Sequence, residues 1–193
     1  MSLAQTETSP AVQTVQTPNP DALMFRVDEV LVPAGTFEFR SRTEATRAPL
    51  AQKLLALDGI DLILVAPKFV TVRKQSDADW HDLIADVTIT MQNFLLSGDM
   101  AVLDAQGAAA PGPQRTAIEQ KILALIDEEI RPAVAQDGGD VEYVSFIDGV
   151  VSLRMTGACG SCPSSTMTLK MGIEALLKEE IPEVQSVEAV PSA

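Results

Sequence analysis

Cysteine and histidine are almost missing from this chain: of 193 residues, two are cysteine and one is histidine. A disulfide framework, which needs several bridges spread along the chain, is excluded. With His81 remote in sequence from both cysteines, a Cys–His hydrolase is excluded as well. Basic residues are also scarce. Fourteen Lys and Arg face 27 Asp and Glu, for a net charge of −13. Phosphate-backbone binding depends on clustered cations, so nucleic acid is not an expected partner, and an anionic membrane surface is disfavoured for the same reason. Long apolar runs are absent too. The longest, Leu62 to Pro67, suits a buried strand and falls far short of the ~18 residues a membrane span needs. No Walker loop, dinucleotide fingerprint or nucleophile–base arrangement occurs. The first twenty residues carry neither an arginine nor an apolar h-region, which argues against a secretory or transit segment and leads to an expected cytoplasmic location. The acidity reads most simply as solubility, and docking to basic client proteins is the sharper alternative.

What is present divides into two small α+β domains joined by a flexible Ala/Gly/Pro linker. Residues 1–17 read as a flexible polar leader. In 18–104, Phe25–Val32 suits an edge strand, and Phe37 and Phe39 alternate with charged residues. A helix around Pro49–Leu57 ends at Asp58-Gly59. Ile60–Ala66 reads as a buried strand and Phe69–Arg73 as an alternating one. From Asp77 a helix places Trp80, Leu83, Ile84, Val87, Met91 and Phe94 at helical spacing. Trp80, Phe25 and Phe94 are expected to pack, and His81 to be exposed. Residues 105–115, AQGAAAPGPQR, form the linker. The second domain, 116–193, opens with a capping box at Thr116 and Glu119. A helix follows, with Pro132 set to kink or end it. Asp137-Gly138-Gly139-Asp140 reads as a turn, and Asp148-Gly149 as the tip of a hairpin in which Val141, Tyr143, Ser145 and Ile147 alternate. A helix with Leu169, Ile173, Leu176 and Leu177 on its buried face stops before Pro182, and Val184–Val190 suits a last strand.

The two cysteines, Cys159 and Cys162, lie in Gly157-Ala158-Cys159-Gly160-Ser161-Cys162-Pro163. Two thiols separated by two residues can face one metal ion or cluster edge. A helix starting at Pro163, where the missing N–H costs nothing, favours the thiolate form. Small neighbours leave the sulfurs unshielded and backbone N–H groups available to cluster sulfide. An iron–sulfur cluster takes four thiolates and this chain has two, so the simplest complete site is a two-fold homodimer with the cluster on its axis. Three other uses of the pair stand beside this one. They are a thiol–disulfide or persulfide-handling protein, a zinc ion held by four cysteines of a dimer, and a purely structural pair.

The run GACGSCPSSTMTLKMGIEALL closely resembles the C-terminal domain of NifU and the Nfu proteins, through Cys159, Cys162, Pro163-Ser164-Ser165, Thr168-Leu169-Lys170 and Gly172-Ile173-Glu174. Arg131-Pro132 and Asp137–Asp140 match upstream. The first domain is similar to the Nfu N-terminal domain, through Thr17-Pro18-Asn19-Pro20, Ala22-Leu23, Phe25, Pro49-Leu50-Ala51, Asp58-Gly59-Ile60, Phe69–Val72 and the Trp80 helix. Met24 and Met171 replace polar residues common at those sites. The resemblance implies a scaffold or carrier, not an enzyme. It implies a [4Fe-4S] cluster (or a [2Fe-2S] form) held by Cys159 and Cys162 across two subunits. It implies upstream cluster-assembly proteins and apo iron–sulfur clients as partners. The cysteine-free first domain would then serve client recognition or positioning.

Overall fold

The protein's computed structural model describes residues 10–103, 105, 115–161 and 163–190. Strand-periodic segments of the first unit form a five-stranded sheet in the order β1-β2-β5-β4-β3. The strands are β1 (Val12–Gln16), β2 (Ala22–Val27), β3 (Phe37–Phe39), β4 (Ile60–Val65) and β5 (Phe69–Lys74), and every neighbouring pair is antiparallel. Two expectations are corrected here. Residues 12–16, read as part of a flexible leader, make an outer strand. Of the segment Phe25–Val32 expected as an edge strand, only Phe25–Val27 is strand, and it is interior, lying between β1 and β5. Gln and Thr mask the alternation of Val12 and Val15, which are the half-buried members of β1.

Because side chains alternate across a strand, the sheet's cross-strand rows sort into two faces. The row Phe25–Val70–Val65–Phe37 lies on the face covered by α1 (Pro49–Leu54) and α2 (Trp80–Ser97). Leu50, Leu54, Val87, Met91 and Phe94 complete that core. Asp79 caps α2 by accepting from the His81 N–H, while the His81 side chain stands in solvent. Trp80 packs on the same core and donates its ring N–H to the Pro20 carbonyl at 3.1 Å. The neighbouring row, Met24–Thr71–Leu64–Glu38, lies on the other face. Met24, Thr71 and Leu64 are wholly buried, yet none belongs to the helix-covered core. Both faces of the sheet are covered, and this accounts for the apolar run Leu62–Val65 of β4. Ala101, Val102 and Ala105 pack back onto the first core, so Ala105 belongs to this unit and not to the linker. Residues 106–114 of the expected linker lie outside the described residues.

The second unit opens on α3 (Ala117–Leu125) with the capping box formed in both directions. Pro132 neither ends nor sharply breaks the helical segment. A proline lacks the N–H that an α-helix needs, and a π-turn at Ile126–Ile130 takes up the mismatch: Arg131 N–H bonds to the Ile126 carbonyl, five residues back. Helix α4 (Arg131–Gln136) follows directly. The hairpin is β6 (Gly139–Ile147) and β7 (Val150–Gly157), joined through Asp148 and Gly149, both at positive φ. A bulge between Tyr143 and Ser145 shifts the register. Phe146 packs inward and Ile147 is exposed, which corrects the strict alternation expected to run through Ile147. Helices α5 (Ala158–Ser161) and α6 (Pro163–Glu180) then carry the chain across to β8 (Ser186–Val190), which lies parallel to β7. Ile122, Ile126, Val134, Val151, Leu153, Ile173 and Leu177 form the second core. Among the described residues no helix is long and apolar enough to cross a membrane.

Candidate metal-binding cysteine loop

The loop is built where β7 ends. Gly157 has φ 66°, a left-handed turn that a side chain would oppose, and it redirects the strand into the short helix α5 that carries Cys159. The Ala158 N–H donates to the Gly138 carbonyl at 3.2 Å, and Thr166 Oγ1 on α6 donates to the Cys159 carbonyl at 2.6 Å. The turn Asp137–Asp140, expected on sequence as a plain turn, is thus the floor of the loop. Gly139 sits directly beneath the sulfur, and a Cβ there would lie 2.7 Å from Cys159 Sγ. Cys159 is 3% exposed, at one end of a cavity of about 510 Å³ lined by Pro18, Ile130, Asp137, Leu169 and Ile173 among others. Cys162 lies outside the described residues. Helix α6 begins at Pro163, as the sequence predicts.

Asp140 is a buried carboxylate with several partners. It accepts from Arg131 Nε at 3.0 Å, from the Val141 N–H at 2.8 Å and from Thr36 Oγ1 of the first unit at 2.6 Å. Arg131 also reaches Asp127 and the Val141 carbonyl, so it ties α4 to β6. The matched Arg131-Pro132 and Asp137–Asp140 motifs are therefore one structural joint under the cysteine loop. Farther off, the Thr116 backbone, then Tyr143 and the Thr116 hydroxyl, bond to the Glu119 carboxylate and hold it below its ordinary range. Burial first, and Glu119 second, push the Tyr143 phenol well above its ordinary value.

Three residues of the first unit close over the loop, and sequence reasoning did not assign them. Asn19 Nδ2 donates to the Ala158 carbonyl at 3.2 Å. Glu38 Oε2 accepts from the Gly157 N–H at 2.7 Å, and Thr71 Oγ1 donates to the Gly138 carbonyl at 2.6 Å. Asn19 did stand in the Thr17–Pro20 motif, but only as part of a resemblance. Thr71 likewise stood only in the Phe69–Val72 match, and neither it nor Glu38 carries a local signal for its contact, because their partners lie 67 and 119 residues away.

The second α+β unit presents its thiol loop between a hairpin and a long helix, against a cysteine-free α+β unit. Comparison with known families agrees with this division into two units. Residues 12–98 match "Scaffold protein Nfu/NifU N terminal" and residues 122–188 match "NifU-like domain". The human "NFU1 iron-sulfur cluster scaffold homolog, mitochondrial" is 39% identical over 181 residues, covering 93% of this chain and 71% of the human one. "NifU-like protein 4, mitochondrial" of Arabidopsis thaliana is 39% identical over 183 residues, covering 92% of this chain and 65% of its own. A solution structure of a NifU-like protein from Saccharomyces cerevisiae superposes with a TM-score of 0.47 at 19% identity, covering 54% of this chain and 93% of that one. The chain belongs to the Nfu family of iron–sulfur cluster scaffold proteins. These relatives also correct the expected cytoplasmic location, because the human and Arabidopsis proteins are named as mitochondrial. That expectation rested on missing leader signals, and a missing address does not specify a compartment.

Proposed function

We propose that the protein carries a [4Fe-4S] cluster between two copies of the chain, with Cys159 and Cys162 of each copy as the thiolates, and passes it to apo iron–sulfur proteins. The observation that supports this reading is the thiol count. The chain has two cysteines, both in one loop of a scaffold-family domain, and that is half of a four-thiolate set. Dimerisation completes the set by symmetry. The cluster is cargo: it is received from upstream assembly proteins and released, and the chain turns over no substrate of its own. A [2Fe-2S] form is a second occupant of the same four thiolates. The domains follow the same division of labour, with the cluster bound by 116–193 and the cysteine-free unit, 18–104, acting on its access or delivery.

Anaerobic reconstitution with iron and sulfide tests the reading. Two irons and two sulfides per chain, in a dimer with broad charge-transfer absorbance, are expected for a shared four-iron cluster. Cys159→Ser and Cys162→Ser should each abolish retention. Protein that stays colourless and iron-free overturns the carrier reading. A reversible Cys159–Cys162 disulfide in its place would establish thiol or persulfide chemistry, and bound zinc a structural site.

A further inference from the structure

The face of the first sheet that is not covered by helices is occupied by the cysteine loop. Its row Met24–Thr71–Leu64–Glu38 runs across four strands, and each member meets the floor or hinge of that loop. A Cβ on Gly138 would lie 3.0 Å from Thr71 Oγ1 and 3.5 Å from Met24 Cβ. A Cβ on Gly157 would lie 2.8 Å from Leu64 Cδ2, and the Gly157 N–H is bonded to Glu38. Glycine backbone seats where no side chain fits, apolar residues lie beneath it, and three polar side chains (Asn19, Glu38 and Thr71) take up its N–H and C=O groups. In this arrangement Cys159 is buried.

We propose that this sheet face is a receptor for the cysteine loop, so that docking there and sharing a cluster with a second chain exclude one another. The proposal rests on the carrier reading above and adds its regulation. Two physical reasons support the exclusion. A cluster on a two-fold axis needs the thiolates at an open surface, whereas in the docked arrangement Cys159 is buried and Pro18 of the first unit lines the cavity beside it. A cluster bound by four thiolates also carries net negative charge. In the docked state the Gly157 N–H, a donor suited to cluster sulfide, is committed to the Glu38 carboxylate, and that anion sits at the loop. Loading therefore requires the first unit to let go. Loss of cluster lets the loop return to a site that shields its thiol.

The test uses the full chain. In a Cys162→Ser background, the alkylation rate of Cys159 by iodoacetamide reports how often the loop undocks. Leu64→Glu places a charge on the docking face, pointing away from the helix-covered core. The pair Glu38→Gln with Thr71→Val removes the carboxylate charge at the Gly157 N–H and the hydroxyl donor to the Gly138 carbonyl while keeping the shape. Alkylation is expected to rise roughly tenfold or more in both, with unchanged helix content by circular dichroism. In the two-cysteine chain, cluster loading should accelerate with the same substitutions. Equal, fast alkylation in the parent and both variants overturns the proposal. So does accelerated alkylation with unchanged loading in chains that do bind iron. Accelerated alkylation in chains that take up no iron would support the docking and sink the carrier reading, so the two failures are distinguishable.

Discussion

At the scale of single residues, the site depends on groups chosen for what they leave out. Gly139→Ala would bring a methyl group within 2.7 Å of Cys159 Sγ and 2.9 Å of the Thr156 carbonyl. Overpacking of this kind costs about 1–3 kcal/mol. The expected outcome is a lower urea midpoint and a displaced thiol, read as changed Cys159 alkylation and weaker cluster retention. Asp140 works in the opposite sense, as a buried acceptor with three donors. Asp140→Asn weakens the Arg131 and Thr36 contacts together and is expected to cost about 1–3 kcal/mol, measured by urea unfolding. That Cys159 and Cys162 are candidate metal ligands was legible in their spacing and small neighbours, a local pattern. That Gly139 makes room for the sulfur was not legible, because the contact joins two turns eighteen or more residues apart along the hairpin's ends.

At the scale of elements, local chemistry was read well wherever it sits within one turn. The capping box at Thr116 and Glu119 and the Asp148-Gly149 hairpin tip are both formed. The errors came from non-local compensation. The π-turn before Pro132 keeps the helix going at the cost of one register slip, and the bulge at Val144 turns Phe146 inward where the alternation pointed to Ile147. The cap also has a measurable electrostatic consequence. Folding lowers the Glu119 pKa from its ordinary 4.5, so folding favours the ionised form. Its contribution to stability is complete above pH 4.5 and is lost as pH falls through the lower folded value. Tyr143 behaves inversely: folding holds the phenol protonated, so stability falls as pH climbs past 10.0. Urea midpoints measured across both ranges should therefore decline at each end. Glu119→Gln should flatten the acid limb, and Tyr143→Phe the alkaline one.

At the scale of the whole molecule, the two units share a buried surface. Met24, Leu62 and Leu64 lie outside both helix-covered cores and are nonetheless almost wholly buried. Among the described residues, polar contacts through Asn19, Thr36, Glu38 and Thr71 cross between the units. Surfaces coupled in this way unfold together, so thermal melting followed at Trp80 in the first unit and Tyr143 in the second should give coincident transitions. Leu64→Glu is expected to separate them by roughly 5 °C or more. Coincident melting in both proteins would mean that the contact carries little coupling energy.

Division into two α+β units, the order of most strands and helices, and the choice of the CxxC loop as candidate site all came from patterns within a few residues: period-two and helical spacing, caps, turns and thiol separation. These signals are written along the chain because the forces behind them act over one or two turns. The strand at Val12–Gln16, the second buried face of the first sheet and the docking of that face on Gly138 and Gly157 were decided only in three dimensions. The apolar run Leu62–Val65 of β4 announced that both its faces would be covered, but not by what. The covering loop lies about ninety residues downstream of β4, and no local preference records a contact across that distance.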